Sequence, residues 1–589
     1  MCTNYTGFKL LLCCLLLSTV RGWVWECTPA GSCQRRDPHV NDTFFNSLDV
    51  CRLVCGDRGN IWPLPANYTT KNKDLVYIDA KNIVFSIDCP TTSANIYLGN
   101  VVDYFKDVIN ENDEQNCSKT KYKLILNVNV ANSILILNYK TSEEYSLDIT
   151  TDSSSKTVTV NIIAVTIFGA RHAFESLLQL IETESTADET CFVTLKEVSI
   201  QDKPKYKHRG LLLDSARNFL SVEVIKKNII AMGMSKLNTL HWHMSDSQSF
   251  PFVSARVPNM TSYGAYSAAQ TYSPYEIRDL LQFAKLHGVR IIPEIDGPAH
   301  TGSGWQWGAD AGLGDLIVCY NKLPYKSFCI QPPCGQMNPA NPNLYQVLGN
   351  IYADILDLWT DGLDLFHMGG DEVYIPCWNS SQEIVNYIDN NRSPEAFHKL
   401  WSEYQEKALS AFDAVNADAT EPSSAILWTS SLTEISHVEK YVPKERYIIQ
   451  TWVSKSDPLP KELLDLGYKL IISTKDSWYL DHGFWGTTKY YTWRTVYDNT
   501  ILNDAAVLGG EVCMWGELVD NSNVEPRVWP RAAAAAERLW TNPSTTSIEA
   551  TSRFFSHNDR LARRGVRTSP VVPKYCSQSH SDCIGYLVT

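Results

Sequence analysis

Beyond His208 the chain repeats one pattern eight times, a short apolar run of strand length followed by a longer stretch with helical spacing. The runs cover residues 210–213, 239–243, 289–294, 363–368, 425–428, 447–451, 468–472 and 507–513. Strands separated by helix-length segments cannot close as hairpins; they need crossover connections and so line up in parallel. Eight such units predict a (β/α)8 TIM barrel of the α/β class, with its chemistry at the C-terminal ends of the strands. One crossover is written out in full: Ser273 and Glu276 form a capping box, Pro274 takes the first helical position and Gly288 follows the last turn. The alanine run 532–536 is a strong helix former in the last unit.

The 589 residues exceed what one barrel needs, and the part before His208 has a different rhythm. Residues 1–22 combine Lys9 with a short apolar core and a small-residue end, the form of a secretory signal peptide rather than a membrane span. No later run of 18 apolar residues offers a stable membrane anchor. Residues 23–60 carry four cysteines and little periodicity, which reads as a disulfide-tied arm. Residues 61–205 show alternating strands at 122–130 and 158–164 and a helix at 170–181, a small α+β domain. The barrel then spans 206–575, and a tail closed by Cys576 and Cys583 spans 576–589.

Three of the 17 cysteines leave with the signal, and an even number in a secreted chain points to disulfides. Cys27, Cys33, Cys51 and Cys55 cluster locally with their pairing open, Cys329 and Cys334 form a close pair, and Cys513 reads as a free thiol inside an apolar strand. Glycosylation sequons at Asn41, Asn67, Asn116, Asn259, Asn379 and Asn391 agree with a secretory route, to the outside or to a lysosome-like compartment. A net charge of −13 argues against a nucleic-acid partner.

The fourth apolar run ends in Gly369, Gly370, Asp371 and Glu372. Successive strand side chains point to opposite faces, so two adjacent acids serve one site only where strand gives way to loop, and the glycine pair supplies that break. With Cα atoms about 3.8 Å apart they cannot flank a scissile glycosidic bond as ordinary two-carboxylate glycosidases require. The segment His367-Met368-Gly369-Gly370-Asp371-Glu372 resembles the signature of the family 20 β-N-acetylhexosaminidases, whose nucleophile is the substrate's own 2-acetamido oxygen.

The resemblance implies a retaining exo-enzyme, releasing terminal N-acetylglucosamine or N-acetylgalactosamine from chitooligosaccharides and glycoconjugates through an oxazolinium-like intermediate. It implies no metal or organic cofactor, and a homodimer. Glu372 is then the general acid/base, holding its proton through a pKa raised by desolvation. Asp371 accepts the acetamide N–H and Tyr479 donates to its oxygen. Arg217 after the first strand, Asp481 after the seventh and Glu517 after the eighth hold sugar hydroxyls. Trp428, Trp452 and Trp515 end strands five, six and eight, where they offer faces to a sugar, and Trp493 lines a further subsite. Asp246 and His300 form a supporting pair that tunes Glu372, and Ser247 stands where many family members have a second acid. By the same resemblance Cys319 bridges Cys377, and Cys89 bridges Cys117.

Several alternatives remain open at this level. His241 and His243 share one strand face and, with His300, could ligate zinc. Arg217 could be an ion-pair partner of a barrel carboxylate, and Trp493 an ordinary packed aromatic. The scaffold could also serve sugar binding without catalysis. The cysteine-rich arm and the 485–493 loop favour chitooligosaccharides.

Overall fold

The structure is a computed structural model that describes residues 23–29, 31–37, 44–55, 59–111, 116–186, 189–417, 422–579 and 583. The signal segment and the sequon at Asn41 lie outside the described residues.

Strands His208–Asp214, Thr239–Ser245, Arg290–Ile295, Leu365–His367, Ser424–Trp428, Tyr447–Thr451, Lys469–Ile472 and Val507–Met514 close a barrel in chain order. Each runs parallel to its neighbours, and the eighth returns to the first through Cys513 opposite Leu212. The capping box of Ser273 and Glu276 starts the helix Pro274–Leu286 as the sequence predicts, and Gly288 follows it at φ +70°. In the helix Arg531–Trp540 all five alanines are buried, which lets its backbone lie close to the barrel wall.

The barrel interior is layered. Near the strand beginnings Ile292, Leu365, Ile426, Ile448, Ile471 and Leu508 form an apolar plug. Farther up, buried His241, His243, Glu294, His367, Gln450 and Glu511 replace the aliphatic filling usual in this fold. At the strand ends Leu212, Trp428, Tyr479 and Cys513 pack together with Trp452 and Trp515. The interior thus changes from an aliphatic plug to buried charge and aromatic rings toward the end where the sequence places the chemistry.

The preceding segment forms a six-stranded mixed sheet in the order Asn67–Asp88, Lys121–Val130, Thr157–Ala164, Tyr145–Asp152, Thr190–Asp202, Glu182–Ser185. Helices Thr92–Asn110 and Ile167–Leu180 bury their apolar faces on it. Buried charge contacts join sheet and barrel: Arg209 donates to Glu143, Lys236 to Asp202, and Arg560 to Glu182. No helix among the described residues is long and apolar enough to cross a membrane.

Six disulfides join Cys27 to Cys55, Cys33 to Cys51, Cys117 to Cys191, Cys319 to Cys377, Cys329 to Cys334 and Cys576 to Cys583. The expected bridge between Cys89 and Cys117 is therefore corrected: Cys89 is a free thiol. Cys89 follows the end of the strand Asn67–Asp88, whereas Cys117 precedes the start of Lys121–Val130, which runs parallel beside it. Two cysteines at opposite ends of parallel neighbours cannot meet. Tyr77 pairs with Lys121 on one side and Ile78 with Phe192 on the other, which brings Cys117 and Cys191 to the same edge. Cys513 is free and buried.

Candidate active site

The fourth strand gives way to loop at Gly369 and Gly370, with φ of +65° and +90°. A Cβ on Gly369 would lie 1.6 Å from Asp296 Oδ1, so only glycine admits this approach. Asp296 Oδ1 accepts from the backbone N–H groups of Gly297 (2.7 Å) and Gly370 (3.2 Å), locking the turn to the end of the third strand. Two side chains beyond these turns, Glu372 (φ +52°) and His300 (φ +54°), themselves sit in the left-handed region that side-chain-bearing residues avoid. Such strain persists only where the surroundings impose it, and it concentrates at functional sites.

His300 is the hub of the acids. Its Nε2 lies 3.4 Å from Glu372 Oε2 and 3.6 Å from Asp371 Oδ2, and its Nδ1 lies 3.3 Å from Asp246 Oδ1. Asp246 also receives Arg217 Nη2 at 2.9 Å, His243 Nε2 at 2.9 Å and the backbone N–H of Ser247 at 2.6 Å. Ser247 thus serves Asp246 through its main chain. Burial alone would favour neutral His300, but the Asp246 and Asp371 carboxylates hold it protonated well above the usual histidine range. Burial likewise opposes ionisation of Asp246, and Arg217 with His300 overcomes it, keeping that carboxyl well below its ordinary value.

The expected raised pKa of Glu372 is corrected. Burial pushes Glu372 up, but the hydrogen bond and charge of His300, with Arg217 behind it, outweigh burial and bring it below the usual carboxylate value. Asp371 moves the other way, to about 6, because burial and the charges of Glu372 and Glu294 exceed the pull of His300. Of the two adjacent acids, Asp371 is the more readily protonated in this structure.

The other expected residues converge on the same opening with polar atoms left over. Arg217 pairs with Asp214 (3.2 Å) as well as Asp246, the ion-pair alternative raised from sequence, yet its Nε has no hydrogen-bond partner among the described residues. Asp371 Oδ1, Asp481 Oδ1 and Glu517 Oε2 are also buried without a hydrogen-bond partner among the described residues. Burial and the nearby Glu517 charge raise Asp481 to about 7. Trp428, Trp452, Trp515 and Tyr479 form the aromatic cluster beside these atoms, with Trp428 and Trp515 centroids 5.8 Å apart and Tyr479 6.5 Å from both Trp452 and Trp515.

Trp493 does not join them. It is 5% exposed and stacks on Phe554 at 4.0 Å, because it opens the short helix Trp493–Tyr497 that packs against the helix Ser547–Arg563. Instead Trp485, 41% exposed, donates its indole N–H to Asp481 Oδ2 at 3.1 Å. Gln331, on the loop closed by Cys329 and Cys334, accepts from Arg217 Nη2 at 3.2 Å and donates to Glu517 Oε1 at 3.1 Å. Sequence reasoning passed over Gln331 because a polar residue on a loop carries no signal until the fold aims it.

His241, Glu294 and His367 bring ligand-type atoms within 4.8 Å of one another, as do His243, Asp246 and Asp296. This donor set fits a metal poorly. Both nitrogens of His241 and of His243 face carboxylate oxygens at 2.5–2.9 Å, and those carboxylates raise both imidazoles above their usual pKa against the effect of burial. A protonated ring has no lone pair to give.

The description "Glycosyl hydrolase family 20, catalytic domain" matches residues 206–543, more than half the chain. The chain belongs to glycosyl hydrolase family 20. Residues 61–180 match "beta-acetyl hexosaminidase like", the companion region before the barrel. This family 20 chain is 37% identical to the chitooligosaccharidolytic β-N-acetylglucosaminidase of Ostrinia furnacalis, over 95% of each chain. It is 38% identical to that of Bombyx mori, over 96% of this chain and 95% of the relative. The β-hexosaminidase β-subunit of Homo sapiens is 33% identical over 70% of both. Among solved structures, the chitobiase of Flavobacterium johnsoniae has the same fold at TM-score 0.66 and 24% identity, covering 86% of this chain and 73% of the other. The protein is a glycoside hydrolase that acts on O-glycosidic bonds.

Proposed function

We propose that this retaining, substrate-assisted exo-β-N-acetylhexosaminidase cleaves terminal N-acetylglucosamine, and N-acetylgalactosamine, with chitooligosaccharides as its main substrate. The observation that carries the reading is the adjacent pair Asp371 and Glu372, beside an aromatic box and a set of unpartnered polar atoms. Two acids one residue apart cannot share the work of nucleophile and acid across one bond, so the nucleophile is the acetamide oxygen of the sugar.

In the first step Glu372 protonates the leaving oxygen as the acetamide oxygen closes on the anomeric carbon. Asp371 accepts the acetamide N–H, Tyr479 donates to the acetamide oxygen, and Trp428, Trp452 and Trp515 enclose the methyl group. In the second step Glu372 takes a proton from the water that opens the oxazolinium-like ring. Arg217, Asp481 and Glu517 close over the sugar's far end, which restricts cleavage to chain termini. A sugar ring displacing water from Glu372 strengthens the desolvation that raises its pKa, while an acetamide N–H favours ionised Asp371. Both effects move the shared proton from Asp371 toward Glu372, the form the first step needs.

The chitooligosaccharide preference is supported by the two insect relatives, which are matched over nearly their full lengths. We also assign secretion or lysosomal delivery, supported by six disulfides among the described residues. Glycans are assigned to Asn67, Asn116 and Asn391, which are exposed, and to Asn259 and Asn379, which are partly so. The division at residues 60, 205 and 575 and a homodimeric assembly belong to the same proposal. The boundary near 205 is supported by the separate cores of sheet and barrel.

Release of chromophore from a β-linked N-acetylglucosaminide tests the reading. Glu372→Gln should lower kcat by about 10²–10⁴-fold with little loss of product affinity, and chelator should leave the unaltered enzyme unaffected. A Glu372→Gln enzyme that keeps most of its turnover overturns the assignment, and chelator sensitivity revives a metal at His241 and His243.

A further inference from the structure

The barrel interior holds more ionised groups than the reaction uses. From the eighth strand, Glu511 Oε1 meets His241 Nδ1 at 2.7 Å, and His241 Nε2 stands 2.9 Å from Glu294 Oε2, in charge contact without hydrogen-bond alignment. Glu294 Oε2 accepts from His243 Nδ1 at 2.5 Å, and His243 Nε2 donates to Asp246 Oδ2 at 2.9 Å. Asp246 then faces His300, and His300 faces Glu372. The signs alternate along the whole line. Burying ions is costly, and this fold ordinarily fills its barrel with aliphatic side chains, so stability alone is a poor reason for the line.

Glu294 is its junction. On it converge His241 and His243 from the second strand, His367 from the fourth at 3.0 Å, and the Trp428 indole N–H from the fifth at 2.9 Å. Asp296 and Asp371 lie nearby, and the Glu294 charge is among those that raise both. His243 also feels Asp214 and lies 3.3 Å from Arg217. We infer that Glu294 is a positioning residue for the acid/base step: by accepting the Nδ1–H of a protonated His243, it aims the ring's Nε2–H at Asp246, holds Asp246 toward Arg217 and His300 and so sets the charge that His300 presents to Glu372. Burial would depress His243, and Glu294 with Asp246 raises it well above its usual value, which agrees with this arrangement. The inference rests on Glu372 being the acid/base.

The test is Glu294→Gln, which keeps the shape and one acceptor oxygen, for the His243 Nδ1–H, but removes one negative charge. The largest of the charges that raise His243 is then gone, while Asp246 and Asp214 still raise it; with the His243 proton held by those two, the site gains positive potential and its acids ionise at lower pH. The basic limb of the kcat/KM profile should fall by about half to one pH unit, a three- to tenfold effect at fixed pH on that limb, with kcat altered more than KM. Glu511→Gln, two contacts farther away, should shift the limb the same way by less. A merely structural role would lower Tm and leave the limb in place; that result, or a shift to higher pH, overturns the inference. Should Glu294→Gln fail to fold, Glu511→Gln decides alone, an unmoved limb being the refuting result. Failure of the underlying reading is separately visible, as turnover that survives Glu372→Gln.

Discussion

Replacing Gly369 by alanine disturbs the active site without touching a group that reacts. At φ +65° an alanine pays about 1–2 kcal/mol in backbone strain. Its Cβ would also stand 1.6 Å from Asp296 Oδ1 and 2.3 Å from Asp296 Cγ. A relaxed carbon–oxygen contact is about 3.3 Å, so the strand end or Asp296 must move by about 1.5 Å. Asp296 is held by the amides of Gly297 and Gly370, and giving up those bonds to a buried carboxyl costs a further ~1–3 kcal/mol. The sum, about 2–5 kcal/mol, should appear as a lower denaturation midpoint. Because Asp371 and Glu372 follow directly, a displacement of about 1 Å should lower kcat by roughly a hundredfold. Both are read from urea unfolding and from chromogenic N-acetylglucosaminide hydrolysis on one preparation. A variant within twofold of the parent in kcat and unchanged in midpoint would refute the claim that this close approach aims the acids.

Two further expectations concern ionisation and thiols. Asp481 has a folded-state value of about 7, above its unfolded value, so the folded chain holds an extra proton between the two. Its ionisation therefore subtracts stability, not at all near pH 3 and fully above about pH 7. Asp481→Asn should be more stable than the parent at pH 8, by up to about 4 kcal/mol at ~1.4 kcal/mol per unit, and equal to it near pH 3; the same gain at both pH values refutes this. In the non-reduced folded protein an alkylating reagent should modify Cys89, which is half-buried, and reach Cys513 only after unfolding. A label on Cys117 or Cys191 would refute their disulfide.

The sequence by itself determined what depends on local order. Eight apolar runs separated by helix-length segments specify the barrel, and the observed strands begin and end within two residues of them, because side-chain periodicity and crossover length are properties of neighbouring residues. The capping box at Ser273 and the glycine pair before Asp371 were legible for the same reason. Only the tertiary structure decided what depends on distance through space. It paired Cys117 with Cys191, 74 residues apart, and left Cys89 free, because strand direction sets which ends meet. It sent Trp493 into a helix contact and brought Trp485 and Gln331 to the site. It reversed the expected ionisation of Glu372, since a pKa is the sum of burial and every nearby charge, and His300 comes from another strand end. Glu294 and Glu511 did leave a trace, each an acid set between apolar neighbours of its strand. That they face one another across His241 is information no linear pattern holds, because it arises only when eight separate strands close on one axis.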